Sequence, residues 1–220
     1  MEKIYKLDLD PAYVNEYISQ VYLHLFLGLL LTGFISFLSF SSGFTLKLLS
    51  YGSWIFLGLG VLGLILILAQ NFAVRNVGLS ALLFYLFSIL EGITLSPILY
   101  AYTKSDISKA FFATSFLFLA LYFLAKSNFI DMRKYYKIFF VMLIIGVIAS
   151  FINIFLGSSL FELIITWFLL IVFSGLLIYD LQTLEELSLT KNPFIGALSL
   201  YIILINLFLL ILRLLSNREE

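Results

Sequence analysis

Residues 161–181 read FELIITWFLLIVFSGLLIYDL, a run in which Glu162 and Asp180 are the only charged residues. A hydrocarbon core of roughly 30 Å is crossed by about 20 mainly apolar residues in a helix. Runs of similar character fill most of the chain and are joined by short polar connections. The sequence therefore predicts seven membrane-spanning helices, at residues 18–40, 52–70, 78–101, 108–125, 137–156, 161–181 and 194–213.

The composition supports the same fold class. Hydrophobic residues make up 62% of the 220-residue chain, charged residues make up 12%, and the mean hydropathy is +1.10. A soluble domain of this length has too little interior for so much apolar surface. We therefore predict an all-α polytopic membrane protein, with a polar N-terminal tail (1–17) and one seven-helix bundle (18–215). The tail lacks the pattern of a cleaved signal peptide, so the first span is expected to stay in the membrane.

Composition and motifs argue against several functional classes. A net charge of zero, without any basic run, argues against nucleic-acid binding, and the absence of cysteine excludes disulfides and thiolate metal sites. Tyr179-Asp180 resembles the intramembrane aspartyl proteases at one dipeptide, but those enzymes need a second carboxylate, and the last predicted span has none. We therefore expect no enzymatic activity and no cofactor.

Lysine and arginine residues are distributed unevenly between the two sides of the predicted bundle. The side that carries the N-terminus holds eight of the 13, and the segment 126–137 contributes four of them. The excess of positive charge on the cytoplasmic side of membrane proteins predicts a cytoplasmic N-terminus and an outside C-terminus. The compact length is typical of a bacterial inner-membrane protein.

Small residues recur within the predicted spans. One such string, G-x-G-x-x-G at residues 58–63, is associated with dinucleotide binding, but that chemistry requires a strand before the motif and a helix N-terminus after it. Inside an apolar span, close helix packing is the better interpretation. Two further stripes on single helical faces predict the same role: Gly28, Thr32 and Ser36, and Ser88, Gly92 and Ser96.

A few polar residues lie within the spans, where each is costly in lipid. Glu91 is near the middle of the third span, which favours a functional role, and Asp180 closes the sixth, where position alone favours contact with headgroup water. His24 is expected to be a hydrogen-bonded bundle residue more readily than a proton relay. Asn153 and Asn206 are expected to form hydrogen bonds between helices.

Six strings, taken in order, resemble the Bax-inhibitor family of seven-span membrane proteins. They are ISQVYLHLFLGLLLTG (18–33), EGITLSPILYAYT (91–103), an aspartate at 131, GVIASFINIFLGS (146–158), FSGLLIYDLQTL (173–184) and ALSLYIILINLFLLILRLL (197–215). The resemblance covers residues 15–215 and implies a protein that passes calcium ions down a gradient. It also implies a pH-sensitive pair of aspartates near the cytoplasmic ends of the last two spans.

The resemblance assigns the first aspartate of that pair to Asp180. The second position, three residues before Asn206, is Ile203, so the pair is incomplete. A lone carboxylate loses the coupled titration of a facing pair, which predicts a pH response that is weaker or displaced. Calcium prefers six to eight oxygen ligands, so Glu91 is the expected second metal ligand if its span packs against the sixth, and Asn206 is an accessory ligand.

Three functions are consistent with these observations. The leading one is a cation leak in the lipid bilayer, with Asp180 at the gate and Glu91 on the pathway. The main alternative is a non-conducting regulator that binds other membrane proteins, such as a quality-control protease, through the polar tail. The third is a proton-coupled transporter that uses Glu91 and His24.

Overall fold

The computed structural model describes residues 10–52, 54–127 and 129–216, and these residues are almost entirely helical. Their α-helices are α1 (Pro11–Ser41), α2 (Phe44–Ser50), α3 (Trp54–Phe72), α4 (Val77–Leu95), α5 (Ile98–Ala101), α6 (Lys104–Lys126), α7 (Tyr136–Leu156), α8 (Ser159–Leu187) and α9 (Pro193–Ser216). Seven helical segments are long and apolar enough to cross a membrane, with α4 and α5 forming one of them. This confirms the predicted class of all-α polytopic membrane protein.

The helices extend beyond the predicted spans. Asp10 caps α1 by accepting a hydrogen bond from the backbone of Ala12, and Pro11 occupies the first helical position, where its missing N–H costs nothing. Residues 11–17, expected in the tail, are therefore the first turns of α1, and residues 1–9 lie outside the described part of the chain. At the same end of the bundle as the start of α1, α8 continues to Leu187, so Asp180 lies within the helix and does not close it.

The third predicted span is interrupted near its end. Helix α4 ends at Leu95, and α5 begins two residues after Ser96. Pro97 lies in this break, since proline supplies no backbone donor to continue the helix. The buried Thr45 hydroxyl of α2 donates to Ser96 Oγ at 2.7 Å, so α2 is tied to the break.

Helices α8 and α9 form the centre of the bundle. Half of the apolar span of each is buried inside the protein, against 6% for α7. Helix α1 packs against α4 and α9, α6 packs against α9, and α7 packs against α8. A helix that is apolar on every side suits this central position, while the apolar side chains of the outer helices are exposed to lipid.

The predicted small-residue stripes form the interface between α1 and α4. A Cβ atom added at Gly92 would lie 2.7 Å from the backbone oxygen of Thr32, and one at Gly28 would lie 2.6 Å from Phe84 Cζ. The G-x-G-x-x-G string behaves differently. Gly63 packs against Phe87, but at residues 58 and 60 no other helix of the described chain comes within 4 Å of an added Cβ, so the packing interpretation is wrong for them.

This contrast predicts opposite effects of alanine at two glycines. Gly92→Ala should lower the midpoint of thermal unfolding in detergent, because the added methyl clashes with the backbone of α1, which cannot move away as a side chain can. Overpacking of this kind typically lowers the free energy of unfolding by about 1–3 kcal/mol. Gly58→Ala should leave the midpoint unchanged or raise it, because alanine is the better helix former and its methyl meets open space. A Gly92→Ala protein as stable as Gly58→Ala would contradict the close packing of α1 on α4.

The turn between α8 and α9 is held by a buried asparagine. The Asn192 amide donates to the carbonyl of Val74 at 3.0 Å and to Ser80 Oγ at 2.7 Å. Its side-chain oxygen accepts from the backbone of Phe194, and its carbonyl accepts from the hydroxyl of Tyr17. These bonds join α1, α4 and the residues after α3 to this turn, and thereby fix how α8 and α9 face each other.

Candidate functional site

Asp180 is buried between α8 and α9. Its Oδ2 accepts a hydrogen bond from the hydroxyl of Ser199 on α9. A buried carboxyl group requires such a partner, because burial removes it from water. The turn that Asn192 holds brings the two helices together, so that Asp180 and Ser199 can form this bond although they are 19 residues apart in the chain.

The two residues border a cavity of about 470 Å³ between α7, α8 and α9. Its remaining wall is mainly apolar and includes Ile203. Several polar residues therefore border one space whose wall is otherwise hydrophobic. The polar side chains that line it are Tyr136, Tyr179, Asp180, Thr183, Glu186 and Ser199.

Ile203 occupies the position at which the resemblance expects the second aspartate. It lies four residues after Ser199, on the same face of α9, and both side chains border the cavity that contains Asp180. An aspartate at this position would therefore face the same space as Asp180. Ser199 was not among the predicted site residues, although its four-residue spacing from Ile203 would have indicated it.

Glu91 does not join this site. It lies on α4, which packs mainly against α1 and α3, and it is not among the residues that border the Asp180 cavity. The expected calcium ligation by Asp180 together with Glu91 is therefore not assembled. Within residues 10–52, 54–127 and 129–216, no group of three or more histidine or acidic side chains is arranged to hold a metal ion.

The neighbourhood of Glu91 is a separate buried polar cluster. The hydroxyl groups of Tyr201 and Thr32 are 2.5 Å apart, and Thr32 also lies 2.9 Å from the carbonyl oxygen of Ser88, one turn before Glu91 on α4. Tyr201 is fully buried at the centre of the bundle. This cluster connects α1, α4 and α9, and sequence patterns did not indicate Tyr201.

The two asparagines do not form the expected bonds between helices. The Asn206 amide donates to the carbonyl of Ile202 in its own helix at 2.8 Å, and its side chain does not border the Asp180 cavity. Asn153 Oδ1 is buried and accepts no hydrogen bond from the described residues. An accessory role for Asn206 as a ligand beside Asp180 therefore has no support from its position.

His24 links three helices. Its Nδ1 lies 2.9 Å from the Tyr85 hydroxyl on α4, and its ring is 4.1 Å from that of Phe194 on α9, measured between centroids. These contacts are those of a hydrogen-bonded bundle residue. In the described part of the chain, no hydrogen bond connects His24 to Glu91, the residue with which it would act in a proton-coupled transporter.

The connection between α6 and α7 is attached to α8 beside the cavity. The Gln182 amide donates to the carbonyl of Ile130 at 2.7 Å, and Gln182 Oε1 accepts from the backbone of Met132 at 2.9 Å. Arg133 Nη1 then lies 2.6 Å from Glu186 Oε1. Sequence patterns indicated none of these contacts, because they join residues about 50 positions apart.

Comparisons with known proteins agree with this architecture. The family model described as "Inhibitor of apoptosis-promoting Bax1" matches residues 14–220. The chain is similar to the inner membrane protein YbhL of Escherichia coli (strain K12), with 33% identity over 94% of each chain. It is also similar to an uncharacterised membrane protein of Streptococcus pyogenes serotype M1, with 30% identity over 94% of each chain. An uncharacterised protein of Rickettsia prowazekii (strain Madrid E) is 30% identical over 94% of this chain and 92% of its own.

The family model spans all seven membrane helices, including both helices of the Asp180 site. The match to YbhL covers almost the full length of both proteins. The chain therefore belongs to the Bax-inhibitor family of membrane proteins.

Proposed function

We propose that this protein lets calcium, or a similar cation, cross the membrane down its gradient, and that the ion passes through the Asp180 cavity. The observation that carries the proposal is a buried carboxyl group that borders a cavity of about 470 Å³ with several polar side chains in its wall, within a membrane bundle. Ionisable groups inside membrane spans usually lie on ion or substrate pathways. The pathway needs no enzymatic step and no resident cofactor.

The side chains that line the cavity suit the passage of a calcium ion better than its tight binding. Calcium prefers six to eight oxygen ligands, and conduction requires binding that is weak enough for release. Asp180 supplies one carboxylate, the hydroxyl groups of Ser199 and Thr183 supply neutral oxygens, and water would complete the shell. With Ile203 in place of a second facing acid, the site holds less negative charge than a paired-aspartate site, which favours rapid release and a weaker or displaced pH response.

We place the protein in the inner membrane with a cytoplasmic N-terminus. The similarity to YbhL, which is named as an inner membrane protein, supports the location, and the uneven distribution of lysine and arginine supports the orientation. Asp180 lies seven residues before the end of α8, roughly 10 Å along the helix, on the same side as the N-terminus. The cavity would then open towards the cytoplasm.

Calcium flux into dye-loaded proteoliposomes tests the proposal directly. Vesicles that contain the folded protein should take up calcium faster than protein-free vesicles, and the rate should be measured from about pH 5 to about pH 8. Uptake should stop when the gradient is exhausted, which distinguishes a leak from a coupled transporter. An absence of protein-dependent flux at every pH would refute the leak.

A regulator that binds other membrane proteins is the alternative. Its expected contact segment is shorter than the polar tail, because the hydroxyl groups of Tyr13 and Tyr17 donate to the carbonyls of Ser188 and Asn192 and fix the start of α1 to the turn before α9. Deleting residues 1–9 leaves Asp10 as the helix cap and tests this role cleanly. A regulator should lose its partner in pull-down experiments, whereas a leak should keep its flux.

A further inference from the structure

We propose that Glu186 is a second, outer carboxylate on the path of the cation into the Asp180 cavity, and that the guanidinium group of Arg133 pairs with this carboxylate until an incoming cation displaces it. The inference rests on the proposed passage of cations through the Asp180 cavity. The family resemblance expects a second acid on α9, where this chain has Ile203. The inference places the second acid on α8 instead, at Glu186. The incoming ligand is a divalent cation of the calcium type.

The first argument is the position of the two acids. Asp180 and Glu186 border the same cavity and are six residues apart on α8, which separates them by roughly 9 Å along the helix axis. Asp180 is buried, while the side chain of Glu186 is 59% exposed. A cation that enters from solvent would therefore meet Glu186 first and Asp180 deeper in the cavity.

The second argument is the cation already present at Glu186. Arg133 Nη1 lies 2.6 Å from Glu186 Oε1, the short distance of a charge-assisted hydrogen bond. The position of Arg133 is set by its backbone as well as by its long side chain. The bonds of Gln182 to Met132 and Ile130 hold the connection against α8, next to the cavity.

The third argument is that this ion pair can be opened. The side chains of Arg133 and Glu186 are 48% and 59% exposed, so water and salt screen their attraction. Asp131 Oδ1 lies 3.9 Å from Arg133 Nε and offers the guanidinium another partner when it leaves Glu186. A divalent cation carries twice the charge of the guanidinium group, so it can compete with Arg133 for the Glu186 carboxylate.

The luminescence of bound Tb³⁺ provides the test. This ion binds to the same kind of oxygen ligands as calcium and can therefore replace it. The phenol rings of Tyr136 and Tyr179 stack with their centroids 4.3 Å apart and border the cavity, so their excitation should sensitise Tb³⁺ bound there. The full chain in uncharged detergent micelles is titrated with Tb³⁺. Glu186→Gln should weaken binding about tenfold, because affinity follows the charge of the ligands.

Matched variants separate a local role from a general loss of charge. Glu185→Gln removes an exposed acid that is adjacent in sequence but does not border the cavity, and it should leave binding unchanged. Arg133→Gln should strengthen Tb³⁺ binding several-fold by freeing Glu186. Lys134→Gln removes a positive charge from the same connection, where Lys134 pairs with Asp131, and should have little effect.

The outcomes distinguish this inference from the proposed function. If Asp180→Asn weakens binding while Glu186→Gln behaves like Glu185→Gln, the second-carboxylate assignment is wrong and the Asp180 pathway stands. If Arg133→Gln fails to strengthen binding relative to Lys134→Gln, the displacement by Arg133 is wrong. If Asp180→Asn leaves Tb³⁺ binding unchanged, both proposals fail. Size-exclusion profiles that match the wild type confirm that each variant is folded.

Discussion

Asp180→Asn will lower the rate of calcium entry into proteoliposomes by about tenfold or more. Asparagine has nearly the shape of aspartate and can still accept the hydrogen bond from Ser199, so the packing of α8 on α9 is preserved. What the substitution removes is the negative charge in the cavity. A cation that has shed part of its hydration then lacks the one buried carboxylate that stabilises it there.

The measurement compares initial rates for vesicles with equal amounts of protein. Glu185→Gln is the matched control, because it removes one acid from the same helix without changing the cavity lining. Its rate should equal that of the wild type. A normal rate for Asp180→Asn, with the protein folded and inserted, would remove Asp180 from the pathway and make the regulator the leading function.

Ile203→Asp is expected to produce the second large effect, a several-fold increase in the pH dependence of calcium flux. Ile203 borders the cavity on the same face of α9 as Ser199, which contacts Asp180. A carboxylate introduced there would share protons with Asp180, and the two groups would titrate as a coupled pair. The calcium rate should therefore change more steeply between about pH 5 and about pH 8 than in the wild type.

Ile203→Asn is the control for this variant. Asparagine at position 203 has about the same size and polarity as aspartate but cannot share a proton with Asp180. The pH profile of Ile203→Asn should therefore stay close to that of the wild type. Equal pH profiles for Ile203→Asp and the wild type would show that the missing acid does not determine the pH response. A steep profile for Ile203→Asn would assign the effect to hydration of the cavity and not to coupled titration.

Several parts of the site followed from sequence patterns or the family resemblance. Asp180 and Ile203 were identified as facing positions, and both border the same cavity. The stripes at Gly28 and Gly92 predicted a close helix interface, which lies between α1 and α4. These features depend on spacing along a single helix, and a period of 3.6 residues determines which side chains share a face.

Other expectations failed because they concerned which helices meet. Glu91 was expected as a ligand beside Asp180 if the third span packed against the sixth, but α4 packs mainly on α1 and α3. Asn206 was expected to bond across helices, but its amide donates to Ile202 in α9. A polar side chain in lipid must find some partner, yet its own helix can supply one, so residue type alone does not identify the neighbouring helix.

The sequence by itself determined that this protein is a bundle of seven membrane-spanning helices, because hydrocarbon admits only long apolar segments whose backbone bonds are satisfied internally. Only the tertiary structure decided that Ser199 contacts Asp180 and that Arg133 pairs with Glu186. Lipid is as apolar as the helix surfaces, so hydrophobicity does not select the partner of a helix. Close packing at small residues and a few buried hydrogen bonds make that choice, and both join positions far apart in the chain.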